Sequence, residues 1–270
     1  MAGSALWSRF CAGRPSRDPF GYGPPHELGG ERSAAPAREI GGLDPPGIAC
    51  YGPVIDRSVT SGNTDTGARI RDAAVRLFAA RGYAATGIRE IADEAGVTTA
   101  ALYHHMGSKQ DLLLTIMRDA MHEMVAGARV ATAEASGPPE ELAGIARAHV
   151  MYNGENLLDA YVGDAEIRSL DPPNRARIVK LRDSYEALWA DVIKRGCEAG
   201  DFQIGDQKLF RFAAIQMCNG VTYWYTPAGP SPLIGIADEL AGFALTMAGC
   251  ERRPALAAPP PARPAPGEVV

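Results

Sequence analysis

The chain has 270 residues, 46% hydrophobic and 22% charged. This is close to the roughly 45–50% and 25% of globular proteins and excludes a wholly disordered or fibrous chain. No stretch approaches the roughly 18 uninterrupted apolar residues of a membrane span, and the N-terminus lacks the apolar segment of a secretory signal, so a cytoplasmic protein with no membrane partner is expected. Net charge is −5, and five cysteines (Cys11, Cys50, Cys197, Cys218, Cys250) without close pairs or zinc spacing imply no disulfide framework, no metal and no cofactor.

Residues 1–60 hold 10 Gly and 8 Pro, with 6 Arg balanced by 6 Asp and Glu, carry no apolar period, and read as a disordered leader. From Asp65 the positions Ile70, Ala73, Ala74, Leu77 and Phe78 recur at the spacing of one helix face, and Gly82 closes that helix. Thr86 is positioned to cap a second helix carrying Ile88, Ile91 and Ala92 and ending at Gly96. Thr98 is positioned to cap a short third one through Ala100, Ala101, Leu102 and His105. Two short helices joined by Gly96, Val97 and Thr98 form a helix-turn-helix pattern. Ser108 and Asp111 resemble a capping box and open a long fourth helix with Leu112, Leu113, Ile116, Met117, Ala120, Met121, Met124 and Val125, to about Val130.

After Gly137, Pro138 and Pro139 further helices follow. The best defined runs from Pro172 to Gly200, with Ile178, Leu181, Tyr185, Leu188, Trp189, Val192, Ile193 and Cys197 on one face. Another segment spans about Gln207 to Tyr225. Ser231 and Pro232 mark the cap and first position of a last helix through Leu240, Phe243, Ala244 and Met247; these last two segments are candidates for pairing between subunits. Residues 251–270 hold 6 Pro and 5 Ala and read as a disordered Ala/Pro tail. The chain is therefore expected to be all-α. A three-helix helix-turn-helix DNA-binding domain occupies 61–110, and a helical ligand-binding and dimerisation domain occupies 111–250.

A helix entering the major groove needs small or polar residues at its tip and donors for phosphates on its flanks. Thr98, Thr99 and Ala100 are the candidate base readers; Thr86, Tyr103, His104 and Lys109 are the candidate phosphate contacts. The competing interpretation is ordinary core packing, with Tyr103 or His105 buried. Charge does not decide, since residues 61–117 hold 6 basic and 6 acidic residues and residues 118–250 hold 12 basic against 18 acidic. DNA affinity must then come from a small oriented surface.

The run from Ile70 through Leu113, FAARGYAATGIREIADEAGVTTAALYHHMGSKQDLL at its centre, resembles the DNA-binding domain of the TetR family of bacterial repressors. The residues that carry the resemblance are Phe78, Gly82, Tyr83, Ile91, Ala92, Leu102, Tyr103, His105 and Lys109. Ala100 stands where a glycine is common, and Met106 where an aromatic usually packs. The resemblance implies an all-helical homodimer whose recognition helices enter successive major grooves of a palindromic double-stranded DNA operator, with half-sites about 34–36 Å apart. It also implies a C-terminal domain whose last two helices form the subunit interface.

Such a repressor would be released by a small-molecule inducer that favours a wrongly spaced pair of heads, with the fourth helix as lever, carrying Met121 and Met124 into the second domain. From Ala165 onward the chain also resembles a branch of that family that controls fatty-acid and steroid breakdown in response to acyl-CoA thioesters. That resemblance rests on Ala-Glu-x-Arg-Ser-Leu at Ala165–Leu170, Arg182-Asp183-x-Tyr185, and Tyr223-Trp224-Tyr225. For such a ligand Tyr152, Tyr185, Trp189 and Trp224 are the candidate wall, Arg168 and Arg177 the candidate mouth, and His149 a ligand contact or a hydrogen-bonded core histidine. Two alternatives remain at this stage, a CoA-ester-binding enzyme and a dimeric ligand carrier without DNA binding. Against catalysis, there is no Walker or dinucleotide loop, no GxSxG elbow and no HExxH pair.

Overall fold

The structure is a computed structural model and describes residues 66–251; the expected leader at 1–60 and the tail beyond Glu251 lie outside the described residues. Within them the regular structure is helical. The first four helices are α1 (Thr66–Arg81), α2 (Ile88–Glu94), α3 (Thr99–Met106) and α4 (Lys109–Ala133). They are followed by α5 (Pro138–Glu155), α6 (Leu157–Ala165), a 3-10 turn (Ile167–Ser169) and α7 (Pro172–Ala199). The last three are α8 (Gln207–Asn219), the single turn α9 (Val221–Trp224) and α10 (Leu233–Met247).

Local chemistry explains most boundaries. Ser108 and Asp111 form the expected reciprocal cap of α4: Ser108 Oγ accepts the Asp111 N–H at 3.1 Å, and the Asp111 carboxylate accepts the Ser108 N–H at 3.1 Å. Asp171 caps α7 by accepting the Asn174 N–H at 2.9 Å, and Gly200 ends it in the left-handed region at φ 80°. Three expectations are corrected. Thr86 does not cap α2. Gly87 holds that place, and the Glu90 carboxylate reaches back to its N–H at 2.7 Å. The segment from Gln207 is not one helix: α8 ends at Asn219, the chain turns at Gly220, and α9 begins at Val221. The last helix starts one residue late, with the Pro232 carbonyl and not that of Ser231 accepting its first bonds, from Gly235 and Ile236.

Two apolar cores result. One joins Ile70, Ala73, Ala74 and Phe78 of α1 with Ile91, Ala92, Leu102 and the start of α4 (Leu112, Leu113, Ile116, Met117). It also contains Val162, Ile167, Leu170 and Ile178, so α6, the 3-10 turn and the start of α7 help to build the core beneath the helix-turn-helix. The other lies among α4, α5, α7, α8 and α10, around Leu142, Ile145, Trp189, Ile193, Phe210, Ala241 and Leu245. Helix α4 contributes to both.

Candidate nucleic-acid interface and ligand core

Helix α3 is anchored by Leu102, which has no exposure, and carries its polar side chains outward. Thr98, Ala100, Tyr103 and His104 are exposed, Thr99 is half-buried, and Tyr103 keeps 51% of its surface. Thr98 Oγ1 accepts the Ala101 N–H at 3.1 Å, which satisfies one of the orphan donors at the helix start and leaves the hydroxyl proton free to donate elsewhere. His104 and His105 meet edge to face, with centroids 5.6 Å apart, on the exposed side. The outward face therefore presents a hydroxyl, a methyl, a phenol and an imidazole.

Two expected phosphate contacts are placed differently. Thr86 is 2% exposed, and its hydroxyl proton is spent on the carbonyls of Gly82 (2.9 Å) and Leu77 (3.3 Å). A group with its donor so committed has nothing to offer a phosphate. Lys109 turns inward: Nζ donates to the Thr86 carbonyl at 2.6 Å and lies 4.1 Å from the Tyr83 ring centroid. Burial lowers its pKa, against the pull of Glu166 and Glu90. Its first task is to fasten α4 to the turn between α1 and α2.

The candidate ligand residues divide. Met121, His149, Tyr185 and Trp189 are buried in one core, with Met124 packed against it. His149 is 2% exposed, and its Nε2 lies 2.8 Å from Asn219 Oδ1 and its Nδ1 3.0 Å from the Tyr185 hydroxyl. An amide oxygen only accepts, so the proton sits on Nε2 and Tyr185 donates to Nδ1. Burial pushes the imidazole down to about 4, partly offset by the Asn219 hydrogen bond, and pushes the Tyr185 phenol up. Tyr152 is half-buried one turn further along α5, its phenol raised by burial and then by Asp159 and Glu123. Trp224 stands 54% exposed on α9.

Arg168 and Arg177 are not at the Trp189 wall. Their neighbours Ile167 and Ile178 belong to the helix-turn-helix core, and Arg177, which donates to Asn174 Oδ1 at 3.2 Å, sits about 18 Å of helix away from Trp189. Among the described residues, no three His, Cys, Asp or Glu gather to hold a metal, and no helix is long and apolar enough to cross a membrane.

Residues that sequence reasoning passed over tie the helix-turn-helix to the rest. Arg71 of α1 pairs with Asp159 of α6, both partly buried. Gln110 Nε2 donates to the Tyr83 hydroxyl and to the Ser169 carbonyl, each at 2.8 Å, while its Oε1 accepts the Asp171 N–H at 3.0 Å. Glu166 accepts the Tyr83 N–H at 3.0 Å and the Ser169 hydroxyl at 2.6 Å. Gly82, at φ 80°, leaves room for this carboxylate, since a Cβ there would lie 3.3 Å from Glu166 Oε1. The opposite side of α6 holds Asp164, which accepts from the Tyr223 hydroxyl at 3.0 Å, and the Gly163 carbonyl, which accepts from Arg182 at 2.7 Å. The one sequence signal was the Ala165–Leu170 motif, which contains both Glu166 and Ser169.

A short helix held outward by its own core, after a three-residue turn and ahead of a larger helical body, defines a helix-turn-helix DNA-binding transcription regulator. Comparison with known proteins specifies the kind. The family model described as bacterial regulatory proteins, tetR family, matches residues 70–116, and that described as tetracyclin repressor-like, C-terminal domain, matches 135–248. A solved tetR-family regulatory protein from Rhodococcus RHA1 is 33% identical, with a TM-score of 0.66, over 70% of this chain and 100% of that one. The HTH-type transcriptional repressor KstR2 of Mycobacterium tuberculosis is 28% identical over 179 residues, 65% of this chain and 88% of the repressor. Its solved structure, described as that of a ketosteroid transcriptional regulator, matches at 25% identity with a TM-score of 0.65, over 72% of this chain and 98% of that one. The fatty acid metabolism regulator protein of Bacillus subtilis is 26% identical over 177 residues, 64% of this chain and 90% of that protein. The chain belongs to the TetR family, whose members are transcription regulators that bind operator DNA and dimerise.

Proposed function

We propose that this chain is a cytoplasmic repressor that holds a palindromic operator as a homodimer and releases it when an acyl-CoA thioester enters the core around Trp189. The observation that carries the reading is the outward face of α3, where Ala100, Tyr103 and His104 are exposed over the buried Leu102. Residues 61–110 form the reading head and 111–250 the ligand-binding and dimerisation domain in this reading. Thr98, Thr99 and Ala100 meet base edges, and Tyr103 and His104 meet phosphates on either side. Lys109 holds the head in shape and offers the backbone at most a remaining N–H.

Support for the ligand class comes from the kind of regulator the chain is similar to, one named for ketosteroids and one for fatty acid metabolism. The buried wall of Met121, Tyr185 and Trp189 with Met124 suits an apolar acyl chain. No catalytic role is assigned, because His149 is buried and neutral with both ring nitrogens engaged, and burial keeps the Tyr185 phenol and the Cys218 thiol in their protonated forms.

The test has two stages. Duplexes are selected from a random-sequence pool by the full-length protein and footprinted across a salt series; a palindromic footprint with steep salt dependence is expected. Isovaleryl-, palmitoyl- and steroid-acyl-CoA are then titrated against the complex. Release by one of them supports the reading; retention of a CoA ester with turnover, or with no footprint at all, points instead to an enzyme or a ligand carrier and overturns it.

A further inference from the structure

The Ala165–Leu170 motif has no role in base reading or in the ligand core, yet its Glu166 side chain and its Ser169 carbonyl are engaged with the reading head. Glu166 holds the backbone N–H of Tyr83, and Gln110 holds the hydroxyl of the same residue. Tyr83 is thus gripped at both ends by side chains that themselves converge on Ser169. Three of these hydrogen bonds cross from the head to the segment 166–171: Tyr83 N–H to Glu166, Gln110 to the Ser169 carbonyl, and the Asp171 N–H to Gln110.

The packing beneath them, Val162, Ile167 and Leu170 against the α1 core, supplies the cohesion, and the hydrogen bonds add the directional restraint that apolar burial lacks. Hydrogen bonds weaken steeply away from their preferred geometry, so these three, together with the Arg71–Asp159 pair from α1 to α6, hold the angle of the head. The same segment ends α6, whose other side is held by Tyr223 at Asp164 and by Arg182 at the Gly163 carbonyl. Movement among α6, α7 and α9 therefore reaches the head here, in addition to any passage along α4.

We propose that Gln110 and Glu166 are positioning residues for operator binding: they latch the turn between α1 and α2, and with it α3, to the 3-10 turn after α6, and so set the spacing of the two heads in a dimer. This rests on the reading above, that the chain grips a palindrome as a dimer. The latch touches no DNA. Its loss should let each head swivel without harming the reading surface.

The experiment compares the full-length protein with Gln110→Ala, Glu166→Ala and Glu166→Gln. Binding is measured to the selected palindrome and to a duplex carrying a single half-site, and the thermal midpoint and amide exchange of residues 82–87 are followed alongside. For both alanine variants the palindrome affinity should fall about tenfold or more while the half-site affinity stays put and exchange at 82–87 quickens. Glu166→Gln keeps a carbonyl acceptor for the Tyr83 N–H and should recover most of the loss. An equal fall on both duplexes would mean a merely damaged head and overturns the latch, as does unchanged palindrome binding. Should one alanine variant not fold, the other and Glu166→Gln carry the same comparison. Failure of the regulator reading is told apart because it shows in the unmodified protein, which would then select no duplex.

Discussion

His149 offers a quantitative check on the ligand core. Its imidazole is held down to about 4 in the fold by burial, whereas an unfolded histidine titrates near 6.5. Between those values the unfolded chain takes the proton first. The stabilising contribution of neutral His149 is therefore complete above about pH 6.5 and is lost as pH falls toward 4, at up to about 1.4 kcal/mol per pH unit. From pH 7 to pH 5 that amounts to about 2 kcal/mol, a large part of the roughly 5–15 kcal/mol that holds a domain together. Other titrating groups move over the same interval, so the reference is His149→Gln, which does not titrate and keeps a donor for Asn219. Urea unfolding of both proteins at pH 7, 6 and 5 gives the difference directly. It should change by about 2 kcal/mol, with the native protein losing more. A difference that stays constant across that range would mean that His149 is not a desolvated neutral core group, and the Tyr185–His149–Asn219 chain would have to be redrawn.

Lys109→Ala removes a charge-assisted hydrogen bond to the Thr86 carbonyl and a contact over Tyr83, and should cost about 1.5–3 kcal/mol of stability in denaturant unfolding. Because its ammonium points inward, the salt slope of operator binding should stay nearly unchanged; a drop of about one unit would return Lys109 to the phosphate contacts. Tyr103→Ala should weaken all duplexes alike, whereas Thr99→Val should change which duplex wins a repeated selection, and the reverse pattern would exchange their roles. Phe243 on α10 is 50% exposed and Leu209 on α8 is 65% exposed in the single chain. Phe243→Glu should therefore yield a folded monomer in sedimentation, and a dimer of unchanged mass would move the subunit interface elsewhere.

Helices were legible in the sequence wherever the apolar period and the caps agreed. Ser108 with Asp111 announced the start of α4, and Gly82 and Gly200 announced two helix ends that adopt the left-handed backbone. Thr86 misled because a threonine before Ile88 fits a capping rule equally well when its hydroxyl turns back to the preceding turn. Which carbonyl it meets, Gly82 or Leu77, depends on how α1 packs against α2. The inward turn of Lys109 depends in the same way on the Thr86 carbonyl, 23 residues earlier in the chain. Arg168 and Arg177 misled for another reason: sequence shows that arginines flank an aromatic stripe, but not that the stripe serves one core at its start and another further on. Gln110, Glu166 and Arg71 were invisible as links between head and body, since the bonds Gln110–Ser169, Glu166–Tyr83 and Arg71–Asp159 span 59, 83 and 88 residues and leave no local pattern.

The shared core also restricts what a ligand can do. Lifting the head off α6, the 3-10 turn and α7 would expose Val162, Ile167, Leu170 and Ile178 together with their partners on α1 and α4. At about 1.5–3 kcal/mol for each large apolar side chain, those four residues alone would cost on the order of 6–12 kcal/mol. A ligand that moves a two-state balance from 1:99 to 99:1 needs a differential affinity of only about 5.5 kcal/mol. Separation is therefore too costly to be the switch, and the head must travel with α6 and the 3-10 turn as one body. The moving boundary then falls between that body and the core around Trp189. Helix α4 crosses that boundary with buried residues at both of its ends, Leu113 in one core and Ala128 in the other, so it must tilt or bend as the two shift. From that boundary, between Met117 and Met121, to Lys109 is about 15 Å of helix, so a bend of about 10° displaces the start of α4 by about 2.5 Å, most of the roughly 3.4 Å rise of one base pair.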